Sequence, residues 1–120
     1  MSKSFRRGEI WMVDFPKGND YIIKGYRPAI VVSTDIVNTN VDCKTATVIP
    51  LTSSPSKGYL LSHIKIKANS GVNKLKGDST ALCEQLTTVN KDVIRFCLGR
   101  VDDRELEEVN SSMLNFLGLI

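Results

Sequence analysis

Soft ligands and imidazoles are nearly missing from this sequence: it has one histidine and three cysteines in 120 residues, and no Cys-x-x-Cys spacing. Structural zinc is normally held by four such side chains, and a disulfide scaffold uses an even set, so the composition speaks against both. The lone His63 excludes ribonuclease chemistry built on two histidines, and nothing reads as a nucleophile elbow or a Ser-His-Asp constellation. The acidic residues lack the spacing of a divalent-cation cluster, so any phosphoryl transfer is expected to run without a bound metal or other cofactor. Long apolar runs are absent too. The longest, such as Ala29 to Val32 and Thr47 to Leu51, are far too short to cross a bilayer, and Met1 to Arg7 has no apolar signal core. The expectation is a cytoplasmic protein with no membrane attachment.

What is present fits a globular chain: 42% hydrophobic and 24% charged residues, without low-complexity segments or a composition shift that would mark a linker. One domain over 1–120 is expected at this length. The net charge of +3 is too small to prove a nucleic-acid partner, but its distribution is informative. Lys3, Arg6, Arg7, Lys17, Lys24 and Arg27 lie in the first quarter, whereas Asp102, Asp103, Glu105, Glu107 and Glu108 cluster near the end. One face is suited to attract RNA and another to repel it.

Glu9 to Phe15 is rich in strand formers and is stopped by the turn cluster Pro16-Lys17-Gly18-Asn19-Asp20. The loop then runs to Tyr26, long enough for a mobile flap or for plain surface. Arg27 to Ser33 and Thr45 to Leu51 do not alternate, so both read as strands buried on two faces. His63-Ile64-Lys65-Ile66-Lys67 alternates strictly, which predicts Ile64 and Ile66 inward and His63, Lys65 and Lys67 in solvent. Further strands are expected near Ser79 to Glu84 and Phe96 to Val101. Only the end reads as helical: Asp102 is an N-cap with Glu105 three residues on, and Leu106, Val109, Met113, Phe116 and Leu117 form a stripe at helical spacing that should plug the sheet. Short strands with few helices between them predict a small antiparallel barrel.

Arg27 opens one apolar strand beside Pro28, and Thr52-Ser53-Ser54 closes another. If those strands pair antiparallel, a planar guanidinium and a group of hydroxyls meet at one sheet edge, a combination suited to phosphate. Arg27 cannot serve as a base, so its role would be to stabilise charge on a reacting phosphorus; the competing reading is an ordinary surface arginine. Glu84-Gln85 ends another apolar strand and could face the same edge, or form a structural ion pair. Trp11 reads as core or interface rather than as a base-stacking platform.

Five segments carry a resemblance: Arg7-Gly8-Glu9-Ile10-Trp11-Met12-Val13-Asp14, Gly25-Tyr26-Arg27-Pro28-Ala29-Ile30-Val31-Val32, Val48-Ile49-Pro50-Leu51-Thr52-Ser53, Leu82-Cys83-Glu84-Gln85 and Leu117-Gly118-Leu119-Ile120. In order and spacing the chain resembles the MazF/PemK family of toxin endoribonucleases, the toxin halves of type II toxin–antitoxin pairs. The resemblance implies a mainly β fold with a C-terminal helix, a small Src-homology-3-like antiparallel barrel of the MazF/CcdB kind. It also implies a homodimer that cuts single-stranded RNA at short sequences without metal. Arg27 and Thr52 match the family's catalytic pair. The reaction it implies is attack by the RNA's own 2′-hydroxyl on the adjacent phosphorus, giving 2′,3′-cyclic phosphate and 5′-hydroxyl ends.

Lys17, Lys24, Ser53, Ser54, Glu84 and Gln85 are the RNA-binding candidates, and a cognate antitoxin with an acidic, disordered segment is expected to cover the same groove. Some relatives carry arginines flanking the acidic-Gln pair, where this chain has Leu82 and Thr87. Two other functions compete: a gyrase-poisoning toxin of the same fold, and a non-catalytic RNA-binding barrel.

Overall fold

The computed structural model describes residues 3–17, 22–53, 62–68 and 72–120. In chain order its elements are β1 (Glu9–Phe15), β2 (Gly25–Val31), the one-turn helix α1 (Asp35–Asn38), β3 (Thr45–Thr52), β4 (His63–Ile66), β5 (Val72–Asn73), β6 (Ser79–Leu82), β7 (Thr87–Asn90), β8 (Ile94–Arg100) and α2 (Asp103–Phe116). Two 3-10 turns, Cys83–Gln85 and Lys91–Val93, precede β7 and β8. The strands form one sheet in the order β4-β6-β3-β2-β1-β8-β5, with β7 also on β3. Pairing is antiparallel throughout. The expected mainly β fold with a C-terminal helix is borne out.

The two apolar runs occupy the middle of the sheet, where both faces are covered. Ile10, Ile30, Ile49 and Leu51 face one core, which α2 closes with Val109, Leu106 and Met113. Trp11, Val13, Ala29, Val31 and Val48 face the other, with Phe5 and Ile94. A strand buried on both sides has no polar face to expose, which is why neither run alternates. Trp11 is core as read: it stacks edge-on against Phe5 at 4.9 Å and donates from Nε1 to Glu9 Oε1 at 3.1 Å.

β8 carries a bulge. Ile10 pairs with Gly99 but Trp11 with Cys97, leaving Leu98 as the extra residue. Gly99 sits at φ +110°, and a Cβ there would lie 2.0 Å from the carbonyl oxygen of Val72, so only glycine lets β5 reach this edge.

The N-terminus of α2 is capped as its sequence predicts. Asp102 Oδ1 accepts the Glu105 N–H at 2.7 Å, and Glu105 Oε1 accepts the Asp102 N–H at 3.0 Å. Glu105 is buried and its Oε2 also takes the Lys67 N–H, so this acidic residue is structural.

Three local expectations need correction. Phe116 and Leu117 are 48% and 51% exposed, so the sheet-facing part of the stripe ends at Met113. β6 stops at Leu82 rather than Glu84, because the chain turns out of the ladder there. His63 is only 7% exposed: it starts β4 across from Leu82, where the 3-10 turn folds over it, and strand alternation does not hold at such an end. The one-turn α1 was not legible, since four residues show no period; it is pinned from outside, with the Arg7 N–H donating to Asp35 Oδ1 at 2.6 Å.

Candidate functional site

β2 and β3 pair antiparallel, with Ala29 across from Pro50, Ile30 from Ile49 and Val31 from Val48. The β2–β3 pairing ends at Ala29–Pro50, so Arg27 and Thr52 each lie two residues beyond its last pair, where β3 pairs with β6 through Leu51 and Thr52. Strand alternation also gives them a common face: Arg27 lies on the side of Ala29 and Val31, and Thr52 on the side of Pro50 and Val48. The condition set by the sequence, antiparallel pairing of these two strands, is met.

Arg27 is half-buried and its Nε–H donates to the Lys24 carbonyl at 2.9 Å. That bond engages the inner nitrogen and leaves the two terminal nitrogens, without a partner among the described residues, to receive an anion in a bidentate fork. Thr52 is 8% exposed and ends β3, paired also with Thr80 of β6. A buried backbone and an engaged guanidinium are what a preorganised donor needs, because the geometry is set before any ligand arrives.

The 3-10 turn Cys83–Gln85 shapes the rest of this edge. β6 pairs with β3 at Leu51 and Thr52, and β7 pairs with β3 from Thr45 to Val48, so the turn interrupts one ladder along β3. Its polar side chains leave in different directions. Glu84 Oε2 lies 2.9 Å from His63 Nε2, while Gln85 Oε1 accepts the Ile23 N–H at 2.7 Å. Glu84 Oε1 is buried without a hydrogen-bond partner among the described residues. Cys83 packs in the core, and burial pushes its thiol above the ordinary range, so it acts there as a small apolar side chain.

Of the remaining sequence candidates, Lys17, Lys24 and Ser53 are exposed, whereas Ser54 lies outside the described residues. The loop that read as a flap is shorter than expected, because Gly25 and Tyr26 already pair with Phe15 and Asp14. Ile23 is half-buried against the second core. A cavity of about 610 Å³ bounded by Phe5, Asn38, Val41, Cys43 and Lys91 includes neither Arg27 nor Thr52. The candidate site lies at the ends of two central strands rather than in that cavity. Sequence reasoning missed the His63–Glu84 and Ile23–Gln85 contacts, which join residues 21 and 62 positions apart and leave no local signal.

Comparison with known proteins identifies the fold and the family. Endoribonuclease MazF9 of Mycobacterium tuberculosis is 32% identical over 95% of this chain and 97% of its own length. MazF from Deinococcus radiodurans has the same fold, with a TM-score of 0.79 at 22% identity over 98% of this chain and 99% of that one. A mycobacterial endoribonuclease solved in complex with its cognate antitoxin superposes with a TM-score of 0.74 at 20% identity, covering 98% of each chain. A sequence model of the family described as PemK-like, MazF-like toxin of type II toxin-antitoxin system matches residues 6–117. With its length matched almost throughout, the chain belongs to the PemK-like, MazF-like toxin family of type II toxin–antitoxin systems.

Proposed function

We infer that this chain, an endoribonuclease toxin as its family and relatives indicate, cuts single-stranded RNA with Arg27 and Thr52 as the catalytic pair. The reading is supported by the placing of these residues, each two positions beyond the last β2–β3 pair on strands that run antiparallel, with Arg27 held at Nε. The RNA supplies its own nucleophile. Attack of a 2′-hydroxyl on the adjacent phosphorus forms one P–O bond as the hydroxyl loses its proton, and breaks the bond to the 5′-oxygen, which takes up a proton as it leaves, giving a 2′,3′-cyclic phosphate and a 5′-hydroxyl. The protein then needs to orient the strand and stabilise charge on the phosphoryl oxygens, for which a guanidinium fork and a hydroxyl donor suffice without a metal ion.

Lys17 and Lys24 supply positive charge, and Ser53, Ser54 and Glu84 are the remaining RNA-binding candidates, whereas the Gln85 side chain is engaged by the Ile23 amide. The toxin acts in the cytoplasm as a homodimer of one domain over 1–120, and its cognate antitoxin inhibits by occupying the RNA groove with an acidic segment that folds as it binds. Among the described residues no helix is long and apolar enough to cross a membrane.

The deciding experiment incubates purified protein with a long RNA in excess chelator and maps both ends at each cut. Cuts at a short recurring sequence with cyclic-phosphate and 5′-hydroxyl ends are expected. Cleavage that needs added magnesium or manganese would overturn the metal-free route. RNA bound but left whole would indicate a binding module, and gyrase inhibition without RNA cleavage a topoisomerase poison.

A further inference from the structure

Ile22 to Lys24 lead into β2 from outside the β1–β2 ladder. The β1–β2 pairing ends at Phe15–Gly25, so Ile23 and Lys24 lie beyond it. Yet the Lys24 carbonyl is the group that accepts the Arg27 Nε–H. The Lys24 carbonyl shares its peptide with Gly25, the last ladder residue of β2, and on its other side the chain is held from across the sheet, where Gln85 Oε1 accepts the Ile23 N–H at 2.7 Å.

Gln85 is free of the ladder for a structural reason. The 3-10 turn that carries it interrupts the pairing along β3, and the turn is tied to β4 by the 2.9 Å contact between Glu84 and His63. A continuous path therefore runs from buried His63 through Glu84 and Gln85 to Ile23, and from there through Lys24 to Arg27.

We propose that Gln85 is a positioning residue for Arg27: by holding the Ile23 amide it fixes the Lys24 carbonyl that aims the guanidinium, with the His63–Glu84 pair anchoring the turn. The proposal rests on the assignment of Arg27 to catalysis. It gives Gln85 work that needs no contact with RNA. A donor displaced by about 1 Å can cost on the order of 100-fold in rate, so a clamp two residues removed can govern turnover.

The test combines Gln85→Leu, which removes the acceptor at similar size, with Gln85→Glu, which keeps an acceptor oxygen, and with Arg27→Ala. Binding is read with an RNA carrying 2′-deoxyribose at the cut position. Gln85→Leu is expected to lower kcat by about 10- to 50-fold, leave the Kd of the uncleavable RNA within about twofold and speed hydrogen exchange at the Ile23 amide. Gln85→Glu should keep kcat within about threefold, its added charge showing in Kd instead. In the Arg27→Ala background, Gln85→Leu should add less than about a twofold loss, because both changes remove the same function.

A Gln85→Leu penalty that multiplies onto that of Arg27→Ala, or that falls on Kd with kcat intact, would overturn the proposal and assign Gln85 to RNA contact. If Gln85→Leu does not fold, Gln85→Glu decides: a lost kcat with the Ile23 amide still protected overturns it, and a retained kcat with that amide protected supports it. Full activity in Arg27→Ala alone would instead overturn the catalytic assignment underneath, an outcome recognised without any change at Gln85.

Discussion

The imidazole of His63 and the carboxylate of Glu84 lie 2.9 Å apart, the first 6% and the second 24% exposed at the side chain, although they are 21 residues apart in the chain. Removing the imidazole would leave a largely buried carboxylate with its other oxygen already lacking a partner among the described residues. His63→Ala is therefore expected to cost about 1.5–3 kcal/mol, the range for a hydrogen bond to a charged group. Urea unfolding measures it, and an unchanged midpoint would mean that the pair contributes nothing in solution.

For Arg27, replacement by alanine is expected to keep the fold and lower cleavage by roughly 100-fold or more, the size associated with losing a preorganised transition-state donor. Lysine should rescue poorly, since it cannot donate to the Lys24 carbonyl and to two phosphate oxygens in one plane. Single-turnover cleavage of a short RNA gives the comparison. Near-normal turnover in either folded variant would remove Arg27 from catalysis.

Thr52 ends a central strand and is buried, and its hydroxyl is the group of chemical interest. Thr52→Val keeps the shape and loses the hydroxyl; kcat should fall by about 10- to 100-fold. Thr52→Ser should keep most of the activity. Equal kcat in Val and Ser variants would reduce Thr52 to a packing role.

Exposed Lys17 and Lys24 flank the loop that leads into β2. If both neutralise phosphates, changing both to Ala should make the slope of log Kd against log salt shallower by about 1.4, since each phosphate on a single strand contributes about 0.7. The kcat of bound RNA should be unaffected. An unchanged slope would place the RNA backbone elsewhere.

Asp35 offers a pH test. The Arg7 N–H holds its carboxyl below the ordinary value of 3.8, with burial opposing and the Asn38 amide adding to the effect. A carboxyl depressed in the folded state stabilises above its unfolded pKa and loses that contribution as pH falls through the folded pKa. Asp35→Asn should thus be less stable than the parent at neutral pH, with the difference closing below 3.8. Urea midpoints that stay parallel across that range would show that the charge carries no stability.

Local chemistry made much of the fold legible. Glu9 to Phe15 is a strand with the boundaries read from it, because strand formers meet Pro16 and its turn cluster. The box of Asp102 and Glu105 was legible for the same reason: both partners lie within one helical turn. The site was legible only as residue types and as a conditional. Arg27 and Thr52 were identifiable as ends of apolar strands, but their meeting depended on how those strands pair.

The amino-acid sequence by itself determined the first strand, the two apolar strands buried on both faces, the terminal helix and which residues can address a phosphate, since each follows from backbone period and side-chain chemistry within a few residues; the short strands β5 and β7 were not legible in it. The tertiary structure alone decided the β2–β3 register, the exit of Cys83–Gln85 from the ladder on β3, and the inward turn of His63. Those depend on what crosses over a strand end from elsewhere in the chain. Alternation read His63 outward because it sees only neighbours in sequence, whereas Glu84 reaches it through space from the turn that follows the end of β6.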